Sequence, residues 1–261
     1  MRARGGPPAL ALMNNRRLTE YAPLEEDTAL ASGAIYKGRA GRVMKGLGAM
    51  FIQLAPGMEG FLPFDELAGA DRPAPGDSLL VQIKKPARGG KSAYLTCDIA
   101  LPGRGTMLLP RGSHAHASKR ARDPGALRSL ARRLCPPDMG LVLRARAEHL
   151  SREELAAEIA SQQAFWEDLR SRARVSAAPA LLAPAPGILQ RLLRDERVPP
   201  DQIVTDDEKI AAGLGLPVRS HPDPFSLYGV EQQLRQALGR RVCLPSGGFL
   251  VLDQCEAALL I

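Results

Sequence analysis

From Ala34 to Pro102 the chain alternates apolar and polar positions in short runs: AIYKGRAGRV, GAMFIQLA, EGFLPFDEL, DSLLVQIKK and SAYLTCDIALP. A period of two marks strands with one face turned inward. Several such runs at near-regular spacing, with glycine turns and one long Pro/Gly-rich connection from Ala68 to Gly76, predict a small closed β-barrel. Beyond Pro110 the period lengthens. KRARDPGALRSLARRL, from Lys119 to Leu134, reads as a basic loop entering a helix, and MGLVLRARA as a strand. Ser151-Arg152-Glu153-Glu154 matches a capping box that opens a helix running to about Arg174. SAAPALLAPAPG, from Ser176 to Gly187, reads as a linker. After it come an amphipathic ILQRLLRDE, a strand-like QIVTDD and a helical YGVEQQLRQALG with Val230, Leu234 and Leu238 on one face. RVCLPSGGFLVLD then reads as a hairpin. The first 33 residues hold a short apolar segment (Ala9 to Met13), a turn at Asn14-Asn15 and an acidic stretch at Glu25 to Asp27.

Composition narrows the class. In 261 residues, 45% hydrophobic content supplies core for one large domain or two to three small ones. A formal charge of +7 favours polyanionic partners such as nucleic acid. Only seven of the 35 basic residues are lysine, in a chain rich in Ala and Pro, so genome composition is the competing explanation of the charge. No run approaches the roughly 20 apolar residues of a membrane span. The opening MRARGGPPALALMNNRR breaks its apolar stretch too early for a signal peptide, and a cytoplasmic location is expected. Cys97, Cys135, Cys243 and Cys255 lie far apart without C-x-x-C spacing, as expected of reduced, buried thiols.

The order of segments is more specific than any one of them. GAIYKGRAGRV…GAMFIQLAPGMEGFLPFDEL, followed by LLVQIKKPARGGKSAYLTCDIALPGRGTMLLP, resembles the opening of the ribonuclease E/G family. LRDERVPPDQIVTDD and YGVEQQLRQALGRRVCLPSGGFLVLDQCEAALL resemble its next blocks, in the same order. The resemblance implies an α/β mosaic: an S1-type OB-fold β-barrel at 34–100 inserted in an RNase H-like α/β domain split between 1–33 and 180–238. A 5′-end sensor-like region at 101–179 and the start of a DNase I-like catalytic domain at 239–261 complete it. It implies an endoribonuclease that cuts single-stranded RNA with magnesium held by aspartates, and homo-oligomers that share zinc through a cysteine pair. In the family the strand matching CEAALLI runs into those aspartates, and the cysteine pair lies further on. No catalytic residue is therefore assigned, no metal is expected on this chain, and it is expected to be inactive alone. A non-catalytic RNA-binding protein that keeps the scaffold is the alternative.

The resemblance also implies site residues. Phe51 and Phe61 match positions whose rings stack on bases, and Lys91, after Arg88-Gly89-Gly90, matches a basic contact. The competing reading of the two rings is ordinary core packing, although five of the seven lysines fall in this segment. Arg144 matches an arginine that, with a following threonine, grips a 5′-monophosphate; here Ala145 follows, and Arg146, on Arg144's side of a strand, is the expected second cation. A solvated arginine pair is the alternative. Lys119 and Arg120, with Arg122, lead into a helix carrying Arg128, Arg132 and Arg133, a cationic face able to track phosphates or simply to be solvated. His114 and His116 have no carboxylate or cysteine close by, so a metal site is not expected there. The LPSGG glycines are explained by a hairpin turn, and Trp166 beside Phe165 reads as a packing anchor.

Overall fold

A computed structural model of the chain describes residues 8–24, 29–195, 200–211, 215–244, 246–254 and 259–260. The acidic stretch at 25–27, Pro245 of the LPSGG turn and Cys255 lie outside the described residues. Contacts divide the chain into two units, 26–198 and the combination of 1–25 with 199–261.

The second of these begins with strands β1 (Ala9–Asn14) and β2 (Arg17–Pro23), an antiparallel hairpin. Its turn sets Asn15 and Arg16 at positive φ, one residue later than the Asn14-Asn15 pair read from sequence.

Residues 26–198 open with the barrel: β3 (Ile35–Met44), β4 (Ala49–Ala55), β5 (Met58–Pro63), β6 (Ser78–Lys85) and β7 (Ala93–Thr96). The order is β3-β4-β5-β7-β6, and β3 bonds β6 to close the ring. All pairs are antiparallel except β5 with β7. This is a closed five-stranded barrel, consistent with an OB-fold. Alternation fills it: Tyr36, Met50, Ile52, Leu54, Leu62, Val81, Ile83 and Leu95 are each at most 2% exposed. The interior admits no side chain at Gly60, where a Cβ would stand 2.6 Å from Leu95 Cδ1. The β6–β7 hairpin turns on Gly89 and Gly90, both at positive φ, which delivers Lys91 to the surface.

Next come β8 (Leu101–Pro102), β9 (Thr106–Leu109), β10 (Ala115–Ala117), helix α1 (Pro124–Leu134), β11 (Gly140–Leu143) and helix α2 (Arg152–Val175). The strands form one sheet, β10-β11-β9-β8. Leu127, Leu141, Leu143, Leu155, Trp166 and Leu169 share its core with the two helices, so Trp166 is the packing anchor expected. The capping box is formed: the Ser151 hydroxyl accepts from Glu154 N, and the Glu154 carboxylate accepts from Ser151 N.

The expected linker is partly structured. Within it β12 (Ala180–Ala183) adds to β3, opposite β6, with Leu182 and Ala183 buried in the α2 core. The apolar ALLA run, read as linker for its prolines, answers an edge of β3 that would otherwise leave backbone groups unpaired. Helix α3 (Ile188–Asp195) ends this unit.

The terminal unit continues with β13 (Ile203–Thr205), helix α4 (Glu208–Ala211), β14 (Val218–Ser220), helices α5 (Pro224–Leu227) and α6 (Val230–Ala237), and the hairpin β15 (Arg241–Cys243)–β16 (Phe249–Val251). Ala9, Phe225 and Val230 form its buried cluster. Of the three apolar positions expected on one face, Val230 is buried, Leu234 is half-buried, and Leu238, one residue past the end of α6, is 77% exposed. No helix among the described residues is long and apolar enough to cross a membrane.

Candidate nucleic-acid interface

Three rings stand side by side on the outside of the barrel. Phe51 faces Phe61 across β4–β5, Phe61 faces Tyr94 across the parallel β5–β7 pair, and Tyr94 faces Lys85 across β7–β6. Their strand neighbours Met50, Ile52, Gly60, Leu62, Ala93 and Leu95 are buried, so the pleat turns the rings outward. Ring centroids lie 5.8 Å apart for Phe51–Phe61 and 6.3 Å for Phe61–Tyr94. All three are half-buried, braced by one another rather than sealed in the core.

Cations flank the row at both ends. The Arg42 guanidinium lies 5.3 Å from the Phe51 ring centre, and the Lys85 ammonium 5.5 Å from that of Tyr94. Arg42 sits where β3 changes register between Ala40 and Val43, a bulge that re-aims a side chain. Lys91 is exposed in the turn three residues before Tyr94.

Other barrel cations are already engaged. Lys37 donates to the carbonyls of Ala173 and Ser176 at the end of α2, each at 2.8 Å, where helix carbonyls lack partners. Arg39 donates to the Ala178 carbonyl at 2.6 Å. Lys84 pairs with Glu66 at 2.5 Å, and the Tyr94 hydroxyl reaches the same carboxylate oxygen at 3.4 Å. Burial works to raise the Glu66 pKa, but the bond and charge of Lys84, with hydrogen bonds from Thr96 and Tyr94, prevail and hold it below the ordinary value. Burial and the nearby Glu66 and Asp65 charges push the Tyr94 phenol up, so the ring stays neutral. Cys97 beneath is buried and pushed up to about 11, an inert thiol. Cys135 is half-buried and Cys243 exposed, so burial is not common to the cysteines.

Arg144 and Arg146 are brought together, though not by a strand. β11 stops at Leu143, Arg144 N donates to Gly105 O, and residues Ala145–His149 wind into a 3-10 turn. Both guanidinium groups then meet the end of α3. Arg144 bonds the Gly103 carbonyl at 2.9 Å and the Asp195 carboxylate at 2.8 Å, and Arg146 bonds the Leu193 carbonyl at 2.8 Å. Burial acts to raise the Asp195 pKa, but Arg194 and Arg144 outweigh it and keep the carboxyl below its usual range. The adjoining loop is filled in the same manner. The Glu158 carboxylate accepts from the backbone N–H groups of Arg104, Gly105 and Thr106 and from the Thr106 hydroxyl.

Lys119, Arg120 and Arg122 are exposed in the loop before α1, and Arg128, Arg132 and Arg133 are exposed on the helix. The His114 and His116 rings stand edge to face, 6.0 Å apart.

The geometry can be set against known proteins. The model of the ribonuclease E/G family matches residues 100–261, more than half of the chain. The chain belongs to the ribonuclease E/G family. It is 29% identical to ribonuclease G of Salmonella typhimurium over 86% of this chain and 53% of that protein. It is 31% identical to ribonuclease E of a Nostoc species over 88% of this chain and 38% of the relative, and 29% identical to ribonuclease E of Escherichia coli over 97% and 27%. The chain thus spans about half the length of the ribonuclease G it matches, and less of ribonuclease E. Within this ribonuclease E/G chain the sequence reading named Phe51 and Phe61, which the fold sets side by side, and did not name Tyr94, Arg42 or Lys85, which the fold adds to the same face. The missed signal was register: Tyr94 is one outward position away in space from Phe61 and 33 residues away in sequence.

Proposed function

We propose that the barrel captures single-stranded RNA, and that the chain is the RNA-binding portion of a ribonuclease E/G-type endoribonuclease acting in RNA processing or decay. The observation that carries this is the outward pair Phe51–Phe61 with the Arg42 guanidinium against it. Flat rings offer stacking surface to any base, and cations beside them meet the phosphates. The 5.8 Å separation of the two rings exceeds the rise of about 3.4 Å between successive bases of a duplex strand. A strand seating one base per ring must be unstacked, which favours unpaired RNA over duplex.

On this reading the barrel is S1-type, and the sheet and helices after it form the sensor-like region that receives the RNA 5′ end. The terminal unit contributes to RNase H-like and DNase I-like domains. A 5′-monophosphate would take over Arg144 from Asp195, with Arg146 beside it. Magnesium would supply hydrolysis in the complete enzyme. Among the described residues no three His, Cys, Asp or Glu side chains form a group able to hold a metal ion, so no catalytic step is assigned to them.

The test is titration of a labelled, unstructured oligoribonucleotide at two salt concentrations. Affinity should fall steeply with salt and drop in Phe51→Ala, Phe61→Ala and Lys91→Ala, with duplex RNA a poor competitor. Salt-insensitive affinity, indifferent to all three changes, would refute the proposal.

A further inference from the structure

A two-phenylalanine site leaves one ring of the row without a task. We propose that Tyr94 is a third stacking platform, so that the barrel grips three successive unpaired ribonucleotides, with Lys85 meeting the phosphate at that end. This rests on the barrel being the RNA-binding face.

Four observations converge on Tyr94. Its register partner is Phe61, whose own partner is Phe51, so the three rings occupy one line across three strands. Its flanking residues Ala93 and Leu95 fill the interior at 4% and 0% exposure, so the core is complete without the tyrosine ring, which stays half-exposed beside Phe61. The ring is tethered at its edge: the hydroxyl reaches Glu66, which Lys84 holds in place, and its face meets the Lys85 ammonium, a contact that a base and its phosphate can replace. Lys85 stands opposite Tyr94 with its ammonium 5.5 Å from the ring centre, repeating at this end the arrangement of Arg42 and Phe51 at the other. A phenol kept neutral adds no negative charge where phosphates must approach.

Purely structural packing would give Tyr94 the same neighbours, so the test separates flatness from bulk. The intact chain is titrated with a short 5′-hydroxyl oligouridylate, comparing Tyr94→Phe, Tyr94→Met, Tyr94→Ala, Lys85→Ala and Phe61→Ala, with circular dichroism to establish folding. Tyr94→Phe should bind within about twofold of the parent, while Tyr94→Met and Tyr94→Ala lose about fivefold or more. Lys85→Ala should lower the salt slope by about 0.7. Full affinity in folded Tyr94→Met, with Phe61→Ala impaired, overturns the third platform and leaves the barrel reading standing. Full affinity in both overturns the barrel reading itself. Should Tyr94→Ala fail to fold, the Phe and Met pair decides alone, because each retains the bulk and only one retains the ring.

Discussion

The barrel face and the Arg144 region both gather groups suited to an RNA, yet they differ in what those groups already hold. On the barrel, Arg42 and Lys85 rest against aromatic rings, an interaction of roughly 0.5–1 kcal/mol at an exposed site that a base and its phosphate can replace. At the end of α3, Arg144 already bonds a carboxylate and a carbonyl, and Arg146 bonds a helix carbonyl. Glu158 likewise satisfies three backbone donors in the adjoining loop. A ligand meets open surface in the first place and must displace an internal anion in the second. Positive charge in a sequence therefore says little about availability until the internal partners are known.

The largest expected effect lies in the middle of the row. Phe61 touches both neighbouring rings, so Phe61→Ala should cost about 1–3 kcal/mol of RNA affinity in an equilibrium titration. Next, replacing Arg42 and Lys85 together by alanine should lower the slope of log affinity against log salt by about 1.4, or about 0.7 for each phosphate no longer neutralised. Arg144→Ala should act on stability instead. It removes the Asp195 pair, whose carboxylate is 46% exposed, together with a bond to the β8–β9 loop; about 1 kcal/mol should be lost in urea unfolding, with 5′-hydroxyl RNA bound within about twofold of the parent. If Arg144 receives a 5′-phosphate, the parent should prefer monophosphorylated RNA and this variant should lose that preference.

The smallest effect concerns the support beneath Tyr94. The Glu66 carboxyl has a lower pKa folded than unfolded, so its contribution is present above the unfolded value, near 4.5, and is lost as pH falls through the lower folded value. Melting temperatures of the parent and Glu66→Gln should converge on acidification, because the parent alone loses this pairing.

Sequence and structure agree where local rules suffice. Period-two alternation and glycine turns place all five barrel strands, and the Ser151–Glu154 pairing places the start of α2, because both are set by neighbours in the chain. Register is not local. The step from Phe61 to Tyr94 depends on a parallel pairing formed across 33 residues, and no spacing in the sequence encodes it. Strand β12 was hidden for a related reason: ALLA between prolines is a poor strand by composition and becomes one only because β3 offers it an edge. Alternation also failed after Arg144, whose bond to Gly105 is the last of the β11–β9 ladder; there a 3-10 turn, rather than a shared strand face, sets the two arginines together.

Photocrosslinking of a 4-thiouridine-containing 5′-hydroxyl oligoribonucleotide, followed by peptide mapping, tests the contrast most directly. Crosslinks should fall on the peptides of β4, β5 and β7 that carry Phe51, Phe61 and Tyr94. Crosslinks confined to β11 and α3, with none on the barrel, would contradict the account.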